Sequence, residues 1–166
     1  MSLELYLIRH GLAGERGTFA NDDERPLTGE GRQKTRQVAR RLLDLKLQFD
    51  QILTSPLVRA KQTAEILVQA GLSQQLETVD CLAPAGQLED WLEWLQIWQP
   101  PSNPRLALVG HEPDLSEWAE ILLWGTAKGV LTLKKTGIIG LMLPDSRSPV
   151  GKSQLFWLTP PRFLIG

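Results

Sequence analysis

Apolar positions along this chain alternate between short unbroken runs and longer stretches of helical period. Leu3-Glu4-Leu5-Tyr6-Leu7-Ile8 is almost continuously apolar and ends at Arg9-His10-Gly11, which predicts a buried strand feeding a turn. Residues 12–27 are rich in Gly, Asn, Asp and Glu, lack any period, and are expected to form a loop. Pro26-Leu27-Thr28 leads into a helix over about Gly29–Lys46, with Thr28 as N-cap. Val38, Leu42 and Leu45 mark its buried stripe, and Arg32, Lys34, Arg36 and Arg40 its wet face. Gln51–Thr54 reads as a strand, followed after Ser55-Pro56 by a helix to about Ala70, and Glu77–Val79 as a weaker strand. Leu88, Trp91, Leu92, Leu95 and Trp98 recur at helical spacing. Pro100, Pro101 and Pro104 end that helix and introduce the strand Leu106–Val109. Leu115–Trp124 is a further amphipathic helix, and residues 130–133, 138–143 and 154–158 read as short strands between Gly, Pro and Ser turns. Such alternation implies an α/β domain with a mainly parallel sheet, to which a β-rich tail adds edge strands.

Composition changes this picture little. With 166 residues, 42% hydrophobic and 22% charged, the chain has the size and make-up of a single folded domain spanning residues 1–166. Its formal net charge of −1 gives no global basic field for nucleic acid or an anionic membrane, so neither is expected as a partner. Any anion must be held by a local basic cluster. One cysteine, Cys81, excludes an internal disulfide and is read as a small core residue rather than a nucleophile. The first apolar run is too short for a signal peptide or a span, and a cytoplasmic protein is expected. Trp91, Trp98, Trp118 and Trp124 fall on helical stripes and are assigned mostly to the core, with Trp94 off the stripe as a partly exposed contact.

The chemistry concentrates on the two histidines. His10 and His111 each follow a predicted strand and lie beside a glycine. Ligands of open α/β sheets bind outside the carboxyl ends of strands, so two imidazoles placed there can share one cleft. A lone histidine at a strand end is ordinarily a structural group. Pairing His10 with His111, Arg9 and a turn glycine shifts the balance toward a functional reading without deciding it.

Leu7-Ile8-Arg9-His10-Gly11 resembles the Arg-His-Gly signature of the histidine phosphatase superfamily, the phosphoglycerate mutase-like fold. Thr54-Ser55-Pro56-Leu57-Val58-Arg59-Ala60-Lys61-Gln62-Thr63 resembles its second block, and Gly110-His111-Glu112-Pro113 its late Gly-His motif. Arg25-Pro26-Leu27-Thr28 looks like the stretch found in small bacterial phosphohistidine phosphatases of the SixA type. The resemblance implies a three-layer α/β/α sandwich with a mainly parallel central sheet. It also implies a phosphate pocket made of His10, Arg9, Arg59 and His111, with His10 as nucleophile and no metal or other cofactor. Arg9 and Arg59 suit phosphate because a guanidinium can donate two parallel hydrogen bonds. A carbonyl near Gly11 is expected to fix the His10 tautomer. Arg25 can reach the phosphate or anchor its loop through Asp22 or Asp23, and both roles stay open. The family's asparagine soon after the nucleophile has no counterpart at Glu15-Arg16-Gly17, and Asn21 lies farther along.

The acid that many superfamily members use to protonate an alkoxide lies after the third strand. Here Cys81–Gly86 has no carboxylate, and Glu89 and Asp90 sit at a helix start, where the helix dipole stabilises them. A labile leaving group fits such a site, which points to phosphohistidine on a signalling or phosphotransfer protein, handled by a monomer. The alternatives are a phosphatase of small phosphate esters such as sugar or nucleotide phosphates, and a non-catalytic phosphate-binding module. A metal site on His10 and His111 lacks a matched carboxylate.

Overall fold

In the computed structural model, which describes residues 2–166, the first apolar run forms β1 (Leu3–Arg9). It is followed by α1 (Gly29–Asp44), β2 (Gln51–Thr54), α2 (Val58–Gln69), β3 (Leu76–Thr78) and α3 (Leu88–Ile97). Then come β4 (Arg105–Gly110), α4 (Asp114–Trp124), β5 (Ile138–Leu143), β6 (Gln154–Thr159) and the short α5 (Arg162–Ile165). The strands make one six-stranded sheet in the order β3-β2-β4-β1-β5-β6. β3, β2, β4 and β1 run parallel, whereas β5 pairs antiparallel with β1 and β6 antiparallel with β5. The α/β sandwich with a mainly parallel central sheet that the motifs imply is the architecture observed.

Both faces of the sheet are covered, which is why β1 and β4 are apolar at nearly every position. Leu5 and Leu7 of β1 and Leu106 and Leu108 of β4 pack with Trp91 of α3 and Trp118 of α4. Tyr6, Ile8, Ala107 and Val109 point the other way, onto Val38 and Leu42 of α1 and Ala60 and Leu67 of α2. Thr28 caps α1 by accepting from Gly31 N–H at 2.9 Å. Gly125, at φ +88°, closes α4 in the left-handed conformation.

Three expectations need correction. Leu45 lies at the end of α1, where the chain turns away from the sheet, and is 43% exposed. Trp124 is 46% exposed beneath the Lys128 ammonium, while Trp94 stacks on Trp98 and donates its ring N–H to Glu77 at 2.9 Å. Residues 130–133 form no strand. Their segment is captured instead by Glu120, a buried residue of α4 whose carboxylate accepts the N–H groups of Lys128, Gly129, Val130 and Leu131 at 2.7–3.0 Å. Burial alone would raise the Glu120 pKa, but these four backbone bonds outweigh it and hold the carboxyl below its usual range.

Glu120→Gln puts an amide N–H among those donors and strands at least one of them. It is expected to cost about 2 kcal/mol or more and to lower Tm by roughly 5 °C. Thermal unfolding followed by circular dichroism checks this, and an unchanged Tm would refute the anchoring role.

Candidate active site

β1 and β4 are neighbours in strict parallel register, with Arg9 opposite Gly110. His10 and His111 therefore leave the sheet at the same level, at the carboxyl ends of its two central strands and where the strand order switches direction. Their ring centroids lie 5.1 Å apart, and both residues are buried. The turn carrying His10 is drawn against two helices. Gly11 N–H donates to Thr63 Oγ1 of α2 at 3.0 Å, and a Cβ on Gly11 would stand 2.7 Å from Thr35 Oγ1 of α1. Glycine is required there by close approach.

Each imidazole has one nitrogen committed and one held ready. His10 Nδ1 lies 2.7 Å from the Gly11 carbonyl, which can only accept. The ring proton is therefore on Nδ1, and Nε2 keeps its lone pair. His111 Nε2 lies 2.7 Å from Ser55 Oγ, which also receives the Leu57 N–H at 3.1 Å. In the tautomer in which Ser55 donates its hydroxyl hydrogen to His111 Nε2, neutral His111 carries its proton on Nδ1. That nitrogen is buried without a partner.

Arg59, on the first turn of α2, gives Nη1 to the Asp22 carbonyl at 2.9 Å and sets Nη2 3.3 Å from the Asp22 carboxylate. Arg9 gives Nη1 to the Leu133 carbonyl at 2.9 Å. The Nε atoms of both arginines are buried without acceptors. Arg25 takes the loop-anchoring role, binding Asp22 Oδ1 through Nε at 2.8 Å and the Gly14 carbonyl through Nη1 at 2.6 Å. Asn21 caps the short turn of 3-10 helix at Asp22–Glu24, accepting from Asp23 N–H, and is spent on loop structure.

Burial pushes the His10 pKa down from 6.5 to about 3, opposed by the Gly11 carbonyl and reinforced by His111, Arg59 and Arg9. His111 falls to about 4 through burial and the charges of Arg59 and Arg9. Both rings are neutral at neutral pH. Asp22 lies below its usual range, first through its hydrogen bond from Arg25. Burial raises the Cys81 thiol, in keeping with an inert side chain. Among the described residues, no group of three or more His, Cys, Asp or Glu side chains stands where it could hold a metal ion.

Several supporting residues escaped the sequence reading. Thr63 bridges the His10-Gly11 turn to α2, accepting from Gly11 N–H while donating to the Arg59 carbonyl at 2.9 Å. Gln62 accepts Leu27 N–H at 2.9 Å and fastens the end of the 12–27 loop. Thr136 N–H reaches the carbonyls of Arg9 and His10 at 3.1 and 3.2 Å. The first two lie inside the second sequence block, which was the available signal. Thr136 has none.

This fold, with two histidines and two arginines gathered at the end of its central strands, defines a class. The chain belongs to the histidine phosphatase superfamily (branch 1), whose family model matches residues 5–96. Within it the chain is a SixA-like hydrolase. It is 29% identical over 112 residues to the phosphohistidine phosphatase SixA of Escherichia coli, covering 67% of this chain and 68% of that one. A solved structure of the protein histidine phosphatase SixA complexed with tungstate superposes with a TM-score of 0.82 at 26% identity, covering 97% and 99% of the two chains. An uncharacterized protein of Picosynechococcus sp. is 47% identical over 98% of this chain and 99% of its own length. Among the described residues, no helix is long and apolar enough to cross a membrane.

Buried neutral histidines make stability pH-dependent in a defined direction. Below pH 6.5 the unfolded chain takes up protons that folded His10 and His111 refuse until about pH 3 and 4, so stability is lost as pH falls through that window. Urea unfolding between pH 7 and 4 is expected to show a shallower loss for the His10→Gln, His111→Gln variant than for the parent. Parallel slopes would contradict the assigned protonation states.

Proposed function

We propose that residues 1–166 form one catalytic domain that hydrolyses phosphohistidine on a signalling or phosphotransfer protein, through a covalent phosphohistidine intermediate on His10. The observation that carries this reading is an excess of donors. Arg9 Nε and Arg59 Nε are buried N–H groups without acceptors, and His111 Nδ1, which is an N–H when Ser55 donates to Nε2, is likewise buried without a partner beside the neutral imidazole of His10. Buried donors are nearly always satisfied, and a tetrahedral oxyanion is the ligand that satisfies these together. Tungstate bound to the SixA relative is such an oxyanion, which supports the same reading here.

His10 Nε2 attacks phosphorus in line while the substrate's P–N bond breaks. A substrate ring protonated on its other nitrogen leaves as neutral imidazole. His10, still protonated on Nδ1, is left carrying the phosphoryl group. Water then attacks phosphorus, the bond to His10 Nε2 breaks, and dihydrogen phosphate and neutral His10 result. Fixed positive charge and positioning supply the catalysis, and no metal takes part.

The ion-paired Asp22 and the Ser116-bound Glu112 favour a labile leaving group over an alkoxide. Asp22 is paired with Arg25 and Arg59 and held ionised, which makes it a poor acid. Both oxygens of Glu112 accept from Ser116, its backbone N–H at 2.9 Å and its hydroxyl at 2.6 Å. Asp114 receives the Ala85 N–H at 2.8 Å. Hydrolysis of alkyl esters would need a proton donor; Asp22 does not provide one, and Asp114, whose pKa burial raises against the Ala85 hydrogen bond, is the carboxyl here best suited to that role.

His10→Ala is expected to abolish the alkali-stable, acid-labile phosphoenzyme seen by mass spectrometry after brief exposure to phosphohistidine substrate, with the fold retained. Arg59→Lys should lower kcat on the order of 100-fold, because a point charge cannot replace a guanidinium fork. Label on any residue other than His10, or ester turnover with no phosphohistidine turnover, would reject the proposal. The kcat/KM profile, corrected for substrate ionisation, should hold its value from pH 7 down through 5, since His10 keeps its lone pair well below 6.5.

A further inference from the structure

Charge in this chain is segregated along its length. Residues 121–166 contain six lysines and arginines (Lys128, Lys134, Lys135, Arg147, Lys152 and Arg162) and a single acidic side chain, Asp145. The whole chain has 18 basic and 19 acidic residues, so the preceding part is distinctly acidic. The basic segment supplies β5, β6 and the turn before β5, and these occupy one side of the sheet, next to β1.

A cleft of about 700 Å³ opens on that side, between the turn that precedes β5 and the end of β6 with the start of α5. Its lining carries two cations, Lys134 and Arg162, and no carboxylate. Its apolar surface comes from Leu158, Pro160 and Phe163, with Phe163 69% and Leu158 42% exposed. The Arg162 guanidinium lies over the Phe163 ring, 4.8 Å from its centroid, so cation and aromatic surface are presented together.

The cleft shares its wall with the phosphate pocket. Leu133 lines it, and the Leu133 carbonyl is the acceptor for Arg9 Nη1. Lys134 begins the turn whose Thr136 N–H binds the carbonyls of Arg9 and His10. Lys135, between them in sequence, has its pKa lowered by burial and by the charges of Arg9, Arg25 and Arg16.

We propose that this cleft docks the protein substrate, taking an acidic segment with an exposed apolar side chain that flanks the phosphohistidine. The inference rests on the phosphohistidine-protein reading and extends it from the phosphoryl group to the partner's surface. Carboxylates of the partner meet Lys134 and Arg162, and the apolar side chain lies on Phe163 and Leu158. A free phosphohistidine or an aryl phosphate fills the phosphate pocket alone and does not reach the cleft. Cleft residues therefore act on KM for the protein substrate, whereas the chemistry at His10 is unaltered.

The test compares the parent enzyme with Phe163→Ala and with the Lys134→Glu, Arg162→Glu double variant. Substrates are a histidine-containing phosphotransfer domain with an acidic surface, phosphorylated by phosphoramidate, and p-nitrophenyl phosphate. For the domain, KM should rise about tenfold in the double variant, and the parent's KM should climb with ionic strength. For p-nitrophenyl phosphate, kcat and KM should stay within about twofold in every variant, which also shows that the fold is intact. An unchanged KM for the domain, or an equal loss on both substrates, overturns the docking site and leaves the phosphohistidine reading standing. A parent enzyme that turns over p-nitrophenyl phosphate and never the phosphorylated domain sinks both.

Discussion

The parallel pairing of β1 with β4 is the constraint on which the rest of the molecule depends. It sets Arg9 opposite Gly110, and so brings the two imidazoles off the sheet side by side. A slip of one residue would carry Leu5 and Leu7 to the face of α1 and α2, and Tyr6 and Ile8 to that of α3 and α4. Both hydrophobic layers would be mispacked at once. The burial that stabilises the fold and the alignment that makes the pocket are thus the same fact about two strands.

Burial also decides the electrostatics. Two buried imidazoles beside two guanidinium groups are held neutral, each with one nitrogen tied down by an oxygen, from Gly11 or from Ser55. What remains is a lone pair on His10 facing a set of fixed N–H donors. A site of this kind is poor at binding cations and well matched to an anion that accepts in several directions. Asp22 gives Arg59 an acceptor for both of its Nη atoms, yet the Nε atoms of Arg9 and Arg59 stay free.

Apolar periodicity and strand-end chemistry made most of this legible in advance. The buried strands and the helices between them follow from runs of apolar residues, and the grouping of His10, Arg9, Arg59 and His111 from the resemblance of three short motifs to a known family. Single polar side chains with distant partners left no such mark. Ser55, Gln62 and Thr63 lie in a block read for Arg59, yet each makes a hydrogen bond to another part of the chain that no spacing reveals. Leu45 and Trp124 fitted their helical stripes and still face solvent, because period specifies a face and not where the sheet beneath it ends. Arg25 offered two roles on equal terms, and the loop contacts to Asp22 and Gly14 are the ones its Nε and Nη1 make.

The misread segment after α4 carries more of the site than its lack of motifs implies. Residues 130–133 have strand-like composition, but Glu120 gathers the backbone N–H groups of residues 128–131 onto one carboxylate, so they cannot join a ladder. Held this way, the chain presents the Leu133 carbonyl to Arg9 and then turns at Thr136, whose φ of +61° is costly for a β-branched residue. Such a conformation persists only where its surroundings over-determine it. Here the Thr136 N–H is shared between the carbonyls of Arg9 and His10, and Gly137 N–H closes the turn on Lys134. The motifs supply Arg9, but its acceptor at Leu133 lies on a segment held by the Glu120 carboxylate of α4 and by burial of Leu133 in the core.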